Sequence, residues 1–252
     1  MNRYARIAIA VLASVGLLTS ASACGTSQNG AGSAYGAIPV VSSINQWGTL
    51  AEQLGGSGVQ VTSIINSTNV DAHDYEPTTS DIVKLQKARI VIVNGAGYDS
   101  WAVKAAQSAK SQVINAAEIG GVKDGGNPHV WFSAAVRKAV AQAITRAYED
   151  TRPDGKADFD KLNQQWRSKE DEVARKITET KRKADGEAYA ATESVAEYLA
   201  GDLGLKDATP TGYMRATANE SEPTRPTSNS SPTCWRPARS ACWWSTFRRR
   251  PS

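Results

Sequence analysis

Between Arg89 and Asn94 the chain reads Arg-Ile-Val-Ile-Val-Asn, four consecutive β-branched apolar residues closed by Gly95-Ala-Gly97. A strand of that composition has no polar face. Both of its sides must be covered, and helices packed on a parallel sheet supply that cover. The neighbouring segments fit. Ile38 to Ser43 and Val59 to Ile65 read as strands, and Gln46 to Leu54 reads as a helix with Trp47, Leu50 and Leu54 on one face. Thr79 to Ala88 is a helix opened by an N-cap Ser or Thr; another helix starts near Asp99, and a short strand lies near Val113. Strands alternating with helical periods specify an α/β fold with a parallel sheet.

Further along, Ser133 to Asp150 carries Val136, Val140, Ile144 and Tyr148 at intervals of four. After Arg152-Pro-Asp-Gly155, a single apolar stripe (Phe159, Leu162, Trp166, Val173, Ile177) marks an otherwise charged helix over Ala157 to Asp185. At about 1.5 Å per residue it spans roughly 40 Å. It lacks the sustained heptads of a coiled coil. A second α/β unit then begins with a strand at Glu187 to Ala190, a helix over Glu193 to Leu203 and a strand near Thr211 to Thr217.

The N-terminus pairs Arg3 and Arg6 with an apolar run from Ile7 to Leu18 and the small residues Thr19-Ser-Ala-Ser-Ala-Cys24. These are the parts of an export signal, with a run too short to span a bilayer as a mature helix. Ala21-Ser-Ala-Cys24 resembles a lipobox, which makes Cys24 the acylated residue. Ordinary cleavage after Ala23 beside an incidental cysteine is the alternative. The Gly/Ser-rich stretch that follows suits a flexible tether. Net charge is +4, but residues 225–252 hold six arginines and no acid, and without them 23 basic residues face 25 acidic ones. A global nucleic-acid footprint is therefore not supported. Cys234 and Cys242 lie in that same tail, so the body offers neither a disulfide framework nor a thiolate metal site.

Ligand sites in such folds lie in loops at the C-terminal ends of strands. The chain's two histidines fall in loops of this type. His73 sits in Asp71-Ala-His-Asp-Tyr-Glu-Pro77 after the second strand, and His129 in Asn127-Pro-His-Val-Trp131 before a helix. A lone loop histidine is more often a surface or packing residue. Two that are both stiffened by proline and aromatics point toward metal.

These motifs resemble the solute-binding proteins of zinc/manganese ABC importers. The first runs from His73 through Ser80-Asp81-Ile82 to Asn94-Gly-Ala-Gly-Tyr-Asp-Ser-Trp101, and the second is Asn127 to Phe132. Thr192 to Leu199, Gly204-Leu205 and Ala218 to Pro223 resemble the family's second lobe, so the likeness covers residues 38–224. It implies two Rossmann-like parallel-sheet lobes joined by one long rigid helix, with a metal ion between them. It implies His73, His129 and Glu193 as ligands, the last otherwise a helix-start glutamate favoured by the dipole. Two imidazoles with a carboxylate suit Mn²⁺ and also bind Zn²⁺. Ile119 to Gly126 lacks the His-rich loop of many zinc members, which favours manganese. The implied function is extracytoplasmic capture of Zn²⁺ or Mn²⁺ by a monomer held to the membrane through a lipid on Cys24, with delivery to an ABC permease. A surface adhesin on the same fold is an alternative. A metal-dependent hydrolase is a weaker one, since the sequence has no His-Glu-x-x-His.

The expected division is a signal peptide (1–23), a tether (24–37), a first lobe (38–150), a linking helix (151–185), a partial second lobe (186–224) and an aberrant, disordered tail (225–252). The tail carries three of the seven tryptophans and no strand or helix period. Translated from the third base of each codon, Ala241 to Thr246 instead spells an apolar run centred on Leu-Val-Val, typical of a buried strand. The tail therefore reads as a frameshift that leaves the second lobe incomplete and removes an Asp ligand.

Overall fold

The structure, a computed structural model, describes residues 36–67, 70, 72, 74–218 and 242–244. The export signal, Cys24, most of the tether, His73 and the rest of the tail lie outside the described residues.

Four parallel strands form the first sheet: β1 (Ile38–Ile44), β2 (Val59–Ile65), β3 (Ile90–Val93) and β4 (Gln112–Asn115), in the order β2-β1-β3-β4. Val40 pairs with Val61 on one side of β1 and with Ile90 on the other. The helices α1 (Asn45–Gly55), α2 (Thr79–Lys87), α3 (Ser100–Gln107) and α4 (Ala116–Ile119) fall between or after these strands. The pleat of β3 divides the core. Ile90 and Ile92 join Trp47, Leu54, Ile144 and Tyr148 in one cluster, while Val91 and Val93 join Leu85, Ala102 and Ala106 in the other. All four β3 side chains are fully buried, as a strand without a polar face requires. Strand order reverses between β1 and β3. Their C-terminal ends therefore open the crevice in which such sheets bind ligands.

Two long helices back the first cluster. The helix α5 (Ala134–Thr151) is capped by Ser133, whose hydroxyl accepts from the Val136 amide, and its Tyr148 hydroxyl donates to the Ala51 carbonyl at 3.0 Å. A tight turn at Pro153–Gly155 leads into α6 (Lys156–Ala184), 29 residues long. The side of α6 that packs is not purely the expected apolar stripe. Phe159, Asn163, Trp166 and Glu170 are its buried residues, whereas Val173 is 44% exposed. The reason lies in α5. Asn163 donates to Thr145 Oγ1 at 2.5 Å, and Arg137 engages Glu170 through Nε and Nη2 while Nη1 donates to the Trp131 carbonyl at 2.9 Å. Polar partners across the helix pair have taken two positions that an apolar stripe would have used.

The second sheet is parallel, in the order β6-β5-β7: β5 (Ala188–Ala191), β6 (Lys206–Asp207) and β7 (Cys242–Trp244). Three details differ from the sequence reading. The single helix expected over Glu193 to Leu203 is a 3-10 turn at Ser194–Ala196 followed by α7 (Glu197–Asp202). The strand expected near Thr211 is the helix α8 (Thr211–Ala218). There the Pro210 carbonyl accepts from the Tyr213 and Met214 amides and starts the turn, and Met, Arg and Ala extend it by propensity. Finally, the tail expected to hold no strand contributes β7, with Ala190 aligned to Trp243. It lies within the stretch whose alternative reading frame spells Leu-Val-Val.

The Arg137–Glu170 pair generates a stability test. The Glu170 side chain is buried, and that of Arg137 is 21% exposed. Glu170→Ala is expected to lower unfolding free energy by roughly 3 kcal/mol, because it strands a guanidinium in the helix interface. Arg137→Met combined with Glu170→Met is expected to recover most of that loss, read from urea midpoints of the three chains.

Candidate metal centre

The loop after β3 is built before anything can be placed beside it. Gly95, Ala96 and Gly97 all have positive φ (80°, 53° and 83°), a run that L side chains resist. A Cβ at Gly95 would also lie 2.1 Å from Asn115 Oδ1. Asp99 compensates: its carboxylate accepts the Asn94 amide at 2.7 Å and the Gly95 amide at 2.8 Å. Burial pushes the Asp99 carboxyl up, against the pull of those amides. The Asn94 side chain is thereby aimed. Its Oδ1 accepts from Trp47 Nε1 at 3.0 Å, and its Nδ2 donates to the Pro128 carbonyl at 2.8 Å. A core tryptophan is thus joined by two hydrogen bonds to the peptide that precedes His129.

His129 is 7% exposed and lies edge-on to Tyr98 and Trp131, with ring centroids 5.8 and 5.2 Å away. Its Nδ1 is 2.7 Å from Asn127 Oδ1, and its backbone amide donates to the same oxygen at 3.0 Å. The other end of the Asn127 amide faces two acceptors, the Ser194 carbonyl at 2.8 Å and Glu197 Oε2 at 2.7 Å. That arrangement settles the amide orientation, since only NH₂ can satisfy both acceptors. The oxygen then faces the imidazole, where an Nδ1–H can donate to it. The Tyr198 hydroxyl closes the contact by donating to the Asn127 carbonyl at 2.8 Å.

Of the three metal-ligand expectations, His73 lies outside the described residues. The exit from its loop is nonetheless well defined. The Thr78 side chain accepts from the Asp81 amide, and Asp81 accepts in return from the Thr78 amide, forming a capping box at the start of α2. Tyr75 also donates to Asp81 Oδ2 at 2.8 Å and packs on Trp101, centroids 5.3 Å apart. Burial, together with that hydrogen bond, pushes the Tyr75 phenol up to about 12. For Asp81 burial acts to raise the pKa, but donors from Thr78, Tyr75 and Lys84 outweigh it and hold the carboxyl well below the usual carboxylate range.

Glu193 is half-buried and extended (φ −146°, ψ 156°), immediately before the 3-10 turn. Its neighbour Ser194 bonds to Asn127, so the structure brings the Glu193 loop to the His129 loop. Among the described residues no group of three or more His, Cys, Asp or Glu side chains is placed to hold a metal. Residue-type reasoning missed the supports Asn94, Asp99, Asn127, Glu197 and Tyr198. All of them stand inside the motifs quoted above, and only their partners, up to 71 positions away, were illegible.

With this geometry in view, comparison places the chain. The family model described as zinc-uptake complex component A, periplasmic (ZnuA) matches residues 40–229, well over half the chain. The protein belongs to that family. Among its relatives is the high-affinity zinc uptake system protein ZnuA of Bacillus subtilis, 24% identical over 160 residues (55% of this chain, 50% of that one). Another is the manganese ABC transporter substrate-binding lipoprotein scaA of Streptococcus gordonii, 24% identical over 177 residues (64% and 56%). The chain spans about half the length of the curated relatives it matches. The metal-dependent lipoprotein YcdH from Bacillus subtilis shares the fold at TM-score 0.63 and 24% identity, covering 69% of this chain and 67% of its own.

The capping box yields a test with a defined pH window. Asp81→Ala is expected to cost about 2 kcal/mol at neutral pH through loss of the cap and the Tyr75 bond. A carboxylate whose folded pKa is depressed stabilises the fold above its unfolded value of about 4 and loses that contribution as pH falls through the folded value. The difference between the two chains is therefore expected to narrow below about pH 4, as followed by circular dichroism.

Proposed function

We propose that this protein captures Zn²⁺ or Mn²⁺ outside the cytoplasmic membrane and hands it to an ABC permease, with His73, His129 and Glu193 as ligands. The observation that carries this reading is the placement of the His129 loop against Asn94 at the end of β3, with Asn127 joining it to the loop that bears Glu193. The donor set supports it. Two imidazoles and a carboxylate, without thiolate, give a borderline-to-hard site that suits Mn²⁺ and accepts Zn²⁺. Family membership and the zinc and manganese proteins among the relatives point the same way.

The metal here is cargo. A binding protein needs affinity and release, whereas a hydrolase needs an open coordination position with a base beside it. We therefore read the site as a carrier's rather than an enzyme's. Anchoring through a lipid on Cys24 would hold the carrier beside the permease, and the lobe surfaces flanking the crevice would dock on it. The carrier acts as a monomer in this reading.

Calorimetric titration of the full chain with Zn²⁺ and Mn²⁺ tests the ligand set. His73→Ala, His129→Ala and Glu193→Ala are each expected to weaken binding by about two decades, the share of one ligand in a site worth ~10–16 kcal/mol. Wild-type affinity in either histidine variant refutes the assignment. Intact mass of the membrane-extracted protein checks the anchor: a lipid adduct is expected on wild type and absent from Cys24→Ser.

A further inference from the structure

Asn127 touches both lobes with opposite ends of one planar amide. Its oxygen receives the His129 backbone amide and faces the His129 ring at 2.7 Å; its nitrogen serves the Ser194 carbonyl and the Glu197 carboxylate. We propose that Asn127 is a positioning residue that fixes His129 as the Nδ1–H tautomer and ties that choice to the second lobe through Ser194 and Glu197. The consequence for metal affinity rests on His129 being a ligand, as proposed above; the tautomer itself does not.

The chemistry runs in one direction. The carboxylate of Glu197 accepts an amide N–H, which draws electron density toward the amide oxygen and makes Oδ1 a stronger acceptor. A stronger acceptor at Nδ1–H raises the basicity of Nε2, as a carboxylate does in carboxylate–histidine–metal triads. Here the carboxylate acts through an intervening amide and belongs to the opposite lobe. If the lobes separate, the NH₂ group loses both acceptors and can turn toward solvent, and the orientation of Oδ1 is no longer imposed. Lobe contact and imidazole preparation are thus one event. Tyr198, also of the second lobe, donates to the Asn127 carbonyl and so belongs to the same contact.

Two substitutions separate the two ends of the amide. Asn127→Asp keeps an oxygen facing Nδ1 but removes both donations and sets a carboxylate against Glu197. Asn127→Leu removes everything. The readout is the pair of ring ¹⁵N shifts of His129 in the metal-free full chain, at a pH where the imidazole is neutral. The chain has two histidines, so a His129→Gln spectrum assigns them. Wild type and Asn127→Asp are expected to show Nδ1–H, and Asn127→Leu a shift toward Nε2–H, the form an unconstrained neutral imidazole prefers. Zn²⁺ affinity is expected to fall 10- to 100-fold in Asn127→Leu, the range seen when outer-shell partners are removed. In Asn127→Asp the carboxylate is a stronger acceptor for Nδ1–H but repels Glu197, so affinity is expected to stay nearer wild type than in Asn127→Leu and to rise when Glu197→Gln relieves the carboxylate pair. Should Asn127→Leu lose cooperative unfolding, Asn127→Ala is read in its place. An unchanged Nδ1–H ring in Asn127→Leu, or in Asn127→Ala where that is read instead, overturns the proposal. So does a shifted tautomer with unchanged Zn²⁺ affinity, provided His129→Gln itself weakens binding. If His129→Gln binds Zn²⁺ like wild type, the metal reading falls, and the ring shifts still decide the role of Asn127.

Discussion

Ile90, Val91, Ile92 and Val93 are fully buried between two clusters of apolar side chains, and burial of that kind leaves few options for the surrounding chain. The neighbouring strands have to run parallel so that helices can return over both faces. The returning helices then force every loop that could bear chemistry to the same edge of the sheet. Ser42, Ser43 and Asn94, all fully buried, stand where β1 and β3 reach that edge. At this point the core gives way to polar contacts, and Trp47 provides the join. Its ring is part of the core, while its indole N–H ends on Asn94. Packing energy is thereby converted into a fixed position for Pro128 and His129.

Much of this was legible in the sequence because the deciding signals are local. The bounds of β2 follow from Val59, Val61, Ile64 and Ile65, set between Gly58 and the polar loop from Asn66, and the start of α2 follows from Thr78 and Asp81, a cap written within four residues. Pro128 and Trp131 beside His129 make it a candidate ligand in the sequence, and its ligand role belongs to the proposal above. What could not be read depends on partners far along the chain. Glu170 looks like one more surface acid of a charged helix until α5 places Arg137 beside it. Glu197 looks like a helix-start acid until Asn127 arrives from 70 positions away. The strand β6 is two charged residues, Lys206 and Asp207, and no apolar pattern announces it. The helix α8 was misread because Thr211, Tyr213 and Thr217 carry strand propensity, while the Pro210 carbonyl organises a helical turn.

The linking helix shows two chemical regimes along its length. From Phe159 to Glu170 it is fastened to α5 by aromatic packing, an amide and a charge-assisted fork, each with partners in the first lobe. Beyond Glu170 its exposed face is dense in lysine, arginine and glutamate, and Val173 stands open. The first half of α6 therefore belongs mechanically to the first lobe. Arg137 also donates to the Trp131 carbonyl, so the same ion pair that fastens α6 steadies the turn carrying His129. A disturbance of the helix interface and a disturbance of the imidazole share one guanidinium.

In the proposed reading, this sharing bears on how a carrier can bind tightly and still release. A site made wholly on one rigid lobe would hold its cargo with nothing to let go. Here the imidazole of His129 is held from the first lobe by Asn94 and Arg137, through the Pro128 and Trp131 carbonyls on either side of it. Its tautomer, however, is set by an amide whose orientation needs Ser194 and Glu197 of the second lobe. Position and tautomer thus draw on contacts from different lobes. In the proposed reading, separating the lobes would leave the ring in place but withdraw the constraint that keeps its lone pair on Nε2. An imidazole free to move its proton to Nε2 presents N–H where the cation was, which is a repulsive partner rather than a weak one. The constraint on the amide consists of two hydrogen bonds of 2.8 and 2.7 Å, to Ser194 and Glu197. Hydrogen bonds of that length are lost well before the cores of either lobe are disturbed.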